Sequence, residues 1–261
     1  MMFFIDVNVM MKFRHTPLGF ILVGLSIFPT ISAAEQVFRE TDAAHSDRLL
    51  RVPEPMVYDL VRPLGVRKGD MEINALADMN TDSGDVGWAP ELEYGLADGL
   101  AMEIELPFED ASHERYKVAI QKTLGIDNQR GVANGWQVFL DLNKHTKTLS
   151  GDATYIHAVR WADKWSSLSM LGLRVNGINR SADLEYLINN TVFYDVSTRL
   201  TFGLELNQEV STGGSWRYRL TPQLHYDINQ NYTVQTGLAL STLNAGEETE
   251  KLWSFRLIRV F

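Results

Sequence analysis

Two groups of charged residues lie far apart in this chain. Glu72, Asp78, Glu91, Glu93, Glu103 and Glu105 come early; Glu205, Arg217, Arg219, His225 and Arg256 come late, with Arg160 and Arg174 between. Glu91/Glu93 and Glu103/Glu105 are spaced by two, as are Arg217/Arg219, and that spacing puts side chains on one face of a strand. Paired carboxylates can do general acid–base work. On neighbouring strands they equally make a wall that attracts cations. Nothing in the sequence completes an enzyme. It has no Walker A or HExxH motif, and Gly213-Gly214 reads as a loop tip. Two residues after His145 comes Lys147, a cation and no acyl nucleophile, and His157-Ala158-Val159 fails the same way. The absence of cysteine excludes thiolate metal sites. The expectation is no catalytic residue, no metal and no cofactor.

Apolar and polar residues alternate in stretches of about ten from Gly69 onward. Between 198 and 209, Leu200, Phe202, Leu204 and Leu206 share one face, and Thr201, Gly203, Glu205 and Asn207 the other. Between 215 and 227, Trp216, Tyr218, Leu220, Leu224 and Tyr226 alternate with Arg217, Arg219, Thr221, Gln223 and His225. The pattern predicts about twelve strands: 69–80, 86–96, 100–108, 115–124, 134–144, 151–162, 166–176, 182–194, 198–209, 215–227, 231–242 and 250–261. Two of these, 151–162 and 166–176, alternate less cleanly. Tight turns such as Ala97-Asp98-Gly99 and Ile228-Asn229-Gln230 alternate with longer polar loops; only Gly125–Ala133 is long where a short turn is due. The fold class expected is all-β: a transmembrane antiparallel up-and-down β-barrel of about twelve strands with short periplasmic turns.

An aromatic precedes successive tight turns at Tyr94, Trp161, Tyr194 and Tyr226, at multiples of about one hairpin, and Phe261 ends the chain near the next such place. Amphipathic rings prefer the headgroup level, so these five form the expected periplasmic aromatic girdle. Trp88, Tyr186, Trp216 and Trp253 suit the outer one. If the girdle faces lipid, the ten residues Glu72, Asp78, Glu91, Glu93, Glu103, Glu105, Glu205, Arg217, Arg219 and Arg256 face the lumen. Closing the barrel pairs the last strand with the first, so the acidic and basic groups meet at that seam.

Residues 1–34 read as a signal peptide. Lys12 and Arg14 precede an apolar run from Leu18 to Ile31 and a small-residue cleavage site ending at Ala34, with Met11 as an alternative start. The run is too short for a comfortable membrane anchor. The mature part has no apolar run of about eighteen residues, which excludes a helical membrane protein. Formal charge is −9 overall, and losing the leader removes net positive charge. So acidic a chain is a poor nucleic-acid binder. Residues 35–67 lack alternation and read as a periplasmic lead-in or a small plug, with 68–261 the barrel. The location implied is the outer membrane of a Gram-negative cell. Its partners there are the lipid, a small solute, and the assembly machinery that reads the terminal Phe261.

Two readings of the lumen stay open. A narrow channel with separated charge orients and selects a small solute, with a modest preference for cations. A filled lumen pairs the same charges into a network and conducts nothing.

Asp59-Leu60-Val61-Arg62-Pro63-Leu64-Gly65, Lys68-Gly69-Asp70-Met71-Glu72, Pro90-Glu91-Leu92-Glu93-Tyr94-Gly95-Leu96-Ala97-Asp98 and Glu105-Leu106-Pro107-Phe108 together resemble the outer-membrane proteins of the meta-pathway of phenol degradation family. That resemblance covers about one-fifth of the chain. It implies an outer-membrane transporter of apolar or aromatic compounds and carries no site residues. Arg259, on the lipid-facing register, departs from the usual C-terminal pattern; at the interface it can snorkel.

Overall fold

Strands with one wet and one oily face can satisfy their backbone inside a membrane only by closing on themselves. The computed structural model describes residues 50–58, 60–243 and 248–261 and has that closure. In chain order the strands are β1 (Met71–Asn80), β2 (Val86–Ala97), β3 (Leu100–Glu105), β4 (Phe108–Glu109), β5 (Ser112–His113), β6 (Arg115–Asp127), β7 (Val132–Asn143), β8 (Leu149–Ala162), β9 (Trp165–Asn176), β10 (Asp183–Asp195), β11 (Leu200–Ser211), β12 (Trp216–Asp227), β13 (Tyr232–Ser241) and β14 (Glu250–Val260). β1 pairs with β2 on one side and β14 on the other, giving a closed antiparallel barrel of twelve strands. The two-residue β4 and β5 form a small hairpin standing on β2. The expected signal peptide and residues 35–49 lie outside the described residues.

All twelve predicted strands are present, with three local departures. The strand expected over 100–108 stops at Glu105, because Pro107 has no N–H for the ladder. Pairing resumes at Phe108, whose ring stacks on Trp88 at 4.6 Å. The long turn expected at Gly125–Ala133 shrinks to residues 128–131, because β6 continues past a bulge between Thr123 and Gly125 as far as Asp127. The Asp127 carboxylate accepts the Gln129 and Arg130 N–H groups, both at 3.0 Å, and Gly131 takes the left-handed conformation, φ +65°. In the middle of β8 and β9 the faces are locally inverted. Ile156, Ala158, Leu168 and Met170 point inward and are buried, while His157, Ser167 and Ser169 point outward.

Most of the outer surface is apolar, with Phe202, Leu204, Leu238 and Leu257 exposed. Tyr94, Trp161 and Tyr226 are exposed and Tyr194 partly so, all near the short-turn end, where Trp165 packs on Tyr194 at 4.8 Å. Phe261 is exposed with the Arg259 guanidinium 4.2 Å above its ring. Trp88, Tyr186, Trp216 and Trp253 are exposed near the long-loop end. Register can be tested at neighbouring positions. Leu204→Arg places a charge on the oily face and should cost roughly 2–4 kcal/mol near the midplane. Gly203 faces inward beside Phe193 and Gln223, so an arginine there acts on the lumen. Urea titration of the folded, heat-modifiable band measures both. A Leu204→Arg variant as stable as the parent would mean the register is wrong.

Candidate functional site

The lumen holds a stretch of the chain itself. Pro53 and Pro55 lack N–H groups, so this stretch climbs extended without needing a ladder partner. At the short-turn end, the Leu50 N–H donates to Asn128 Oδ1 at 3.1 Å and Arg51 pairs with Asp227 at 2.8 Å. The backbone bends at Met56–Tyr58, where three consecutive N–H groups converge on the Glu205 carboxylate at 3.0, 3.1 and 2.8 Å. The Asn207 and Gln223 amides donate to the same carboxylate at 2.9 and 3.0 Å. The Tyr58 hydroxyl reaches Asp152 at 3.3 Å. The stretch then returns. Gln121 Nε2 donates to the Arg62 carbonyl at 2.5 Å, the Gly65 N–H to Thr123 Oγ1 at 2.9 Å, and the Lys68 N–H to Asp98 Oδ1 at 3.0 Å, back at a short turn.

Apolar packing matches this path. Met56, Leu60, Val61, Leu64 and Val66 are buried, and Leu60 and Leu64 pack with Ala133, Ile156, Leu168 and Phe193 of the wall. The wall has no side chain where two of these knobs sit. A Cβ at Gly237 would lie 2.7 Å from Met56 Cε, and one at Gly135 would lie 2.6 Å from Leu64 Cδ2. The inward apolar residues in the middle of β8 and β9 therefore face an apolar partner, which is why alternation is inverted there.

All ten charged residues named from the sequence have their side chains on the inner face, Arg256 and Glu93 with no exposed surface. Glu205 holds the Met56–Tyr58 bend, and the other nine fall into two layers. The inner layer lies across the seam of β14, β1 and β2. Arg256 approaches Glu91 at 3.6 Å, Glu93 at 3.8 Å and Glu54 at 3.9 Å, and its Nε donates to Asn74 Oδ1 at 3.1 Å. Arg62, from the inner stretch, pairs with Glu72 and lies 3.6 Å from Glu93. Burial, with Glu72 beside it, raises the Glu54 carboxyl to about 7, against the pull of Arg256 and Arg62. Glu91, Glu93 and Glu103 bring carboxylate oxygens within 4.8 Å of one another, a spacing that would suit a cation. Guanidinium groups already stand beside two of the three. Lys117 pairs with Glu105.

The second layer is a belt near the long-loop end. Arg219 grips Asp78 with two bonds, 2.7 and 2.8 Å. Arg217 bridges Glu185 at 2.6 Å and Glu209 at 2.7 Å. Arg174 holds Asp152 at 2.9 and 2.8 Å and also pairs with Glu209. Two-pronged guanidinium–carboxylate pairs fix position as well as charge. Glu185, Glu209 and Asp152 were not singled out from the sequence, although their strand parity is inward. Glu54 and Arg62 lie in a stretch without any period, so no sequence signal pointed to them. His145 sits in a loop 3.1 Å from Glu114, and His157 lies outside on β8; neither meets a nucleophile.

Solved structures share this architecture. The KdgM porin aligns with a TM-score of 0.59 at 11% identity, over 73% of this chain and 99% of that one. The NanC porin gives 0.59 at 10% identity, over 72% and 98%. The COG4313 outer membrane channel from Pseudomonas putida F1 gives 0.59 at 14% identity, over 80% and 100%. At these identities the likeness establishes an outer-membrane channel fold. No curated protein sequence matches. A family model matches residues 49–260: the chain belongs to the HAEPLYID-like family.

Proposed function

We propose that this protein is an outer-membrane channel for a small solute, held shut by residues 50–67, which act as a plug docked from the periplasmic end. The observation that carries the reading is the Glu205 carboxylate gathering three consecutive plug N–H groups inside the lumen. A buried charge satisfied by another segment's backbone fixes that segment in one place, and it works only while the segment is there.

Undocking would leave an apolar wall at Ile156, Leu168, Met170 and Phe193 facing the acidic wall of β1–β3. Such a lumen suits a small solute with an apolar or aromatic body and a polar or cationic end. The cell location follows from the same reading: the girdle meets outer-membrane lipid, and the exposed terminal Phe261 is what the assembly machinery reads. A permanently filled, non-conducting barrel is the competing reading, favoured by the ion-pair belt. Planar-bilayer recording separates the two. The full chain should show rare, brief openings, and a chain beginning at Lys68 a steady conductance. A folded, heat-modifiable barrel beginning at Lys68 that stays silent would favour the filled barrel.

A further inference from the structure

Glu103 stands apart within the acidic wall. It is 1% exposed, and its Oε1 has no hydrogen-bond partner. Its cross-strand neighbours explain why. On β2 it faces Glu93, another carboxylate, and on β6 it faces Ala119, which offers no side-chain donor. Ala101, two residues earlier on β3, belongs with Ala119, Val61, Val66 and Phe139 to a buried apolar cluster. Lys117 is held by Glu105, its own partner across β3 and β6. Arg62 and Arg256 meet Glu72, Glu91 and Glu93 on β1 and β2. Among the described residues, no ion pair reaches Glu103.

The imbalance extends past one residue. Glu72, Glu93 and Glu103 form a single cross-strand row over β1, β2 and β3, and Glu91 faces Glu105 in the next. Like charges directly opposite each other repel. With Glu54 of the inner stretch, the layer sets six carboxylates against three cations, Arg62, Lys117 and Arg256. A proton on Glu54 still leaves the carboxylates in excess. An ionised carboxylate buried without a counter-charge is very unfavourable. The missing positive charge must come from outside the chain.

Glu91, Glu93 and Glu103 bring one oxygen each within 4.8 Å of one another. Oxygens around calcium lie about 2.3–2.6 Å from the ion, so two of its ligands stand at most about 5 Å apart. The trio falls within that span. Magnesium suits the site less well. It holds its oxygens at about 2.0–2.1 Å and keeps several waters, for which a border of Ala101, Ala119 and Phe139 has no polar partners. We infer that Glu91, Glu93 and Glu103 bind one calcium ion inside the barrel, tying β2 to β3. Glu103 is the ligand that makes the site, because Glu91 and Glu93 also serve Arg256. The ion completes the charge of the closed, folded chain, so the site stands whether or not the lumen ever conducts.

Refolding the full chain from urea into a neutral detergent, with EDTA or with calcium chloride, tests the site. Calcium at about a hundred times its Kd should shift the unfolding equilibrium about a hundredfold toward the barrel, read as a higher urea midpoint of the heat-modifiable band. Magnesium chloride should do less. Glu103→Gln should abolish the calcium shift. In EDTA it should be at least as stable as the parent, since it removes the unanswered charge; a carboxylate needed only for packing would lose stability in both conditions. Asp82→Asn with Asp85→Asn, on an exposed outer loop, should keep the shift. Equilibrium dialysis should find one calcium ion retained by the parent and by the loop variant, a count that serves even where Glu103→Gln does not refold. No gain from calcium in the parent would overturn the proposal. So would a stability that rises only on acidification, which puts a proton on Glu103 instead, or a calcium effect that disappears with the loop carboxylates.

Discussion

Glu205→Leu should leave the barrel folded and its lumen open. The leucine keeps the side chain's approximate volume and removes the acceptor shared by the Met56, Val57 and Tyr58 N–H groups. Leaving a buried donor unsatisfied costs about 1–3 kcal/mol. Three of them make the docked plug less favourable by at least about 3 kcal/mol, which is roughly a hundredfold gain in the undocked population. Undocking escapes the cost, because water then meets the freed N–H groups. The strand ladders do not depend on Glu205, so the heat-modifiable band should persist. Glu205→Gln keeps one acceptor oxygen and should open the lumen less. In bilayers the order of open time should be Leu, then Gln, then the parent chain. Equal open times in all three would mean that Glu205 does not hold the plug.

The barrel was legible in the sequence because strand parity is a local signal: a lipid-facing residue and its lumen-facing neighbour differ in polarity whatever lies across the barrel. Strands such as β11 and β12 could therefore be located to within two residues. The residues that fill the lumen were not legible, for physical reasons visible in particular side chains. Met56 and Leu64 are buried because Gly237 and Gly135 leave room for them, and neither glycine announces a partner about 180 or 70 residues away. Arg62 looks like any surface arginine until Glu72 and Glu93 are set against it. The weak alternation of β8 and β9 was the one sign that something was unusual. It records two local exceptions at once: an inner face made apolar by the plug, and an outer face made polar by His157 and Ser169.

Arg256→Ala should be the most destabilising single change in the wall. Its guanidinium has no exposed surface and stands among Glu54, Glu91, Glu93 and Asn74, across the seam between the last strand and the first. Removing one side of a buried ion pair typically costs about 3–5 kcal/mol, because the remaining charges stay desolvated. The effect must be conditional. Glu91→Gln with Glu93→Gln also destabilises the parent barrel, by taking carboxylates from Arg256, but should recover much of the loss in an Arg256→Ala background. Urea midpoints for the four proteins close the cycle, with an expected coupling of about 1–3 kcal/mol. Additive losses would mean that Arg256 contributes packing and no charge pairing. The same arginine matters for conduction. In a chain beginning at Lys68, Arg62 and Glu54 are gone, and Arg256 is left as the guanidinium facing Glu91 and Glu93. Arg256→Ala in that open barrel lets water reach the carboxylates, so the loss of stability should shrink. The reversal potential in a salt gradient should then move further toward cations, and salt should weaken the shift, since screening acts over about 10 Å at 0.1 M.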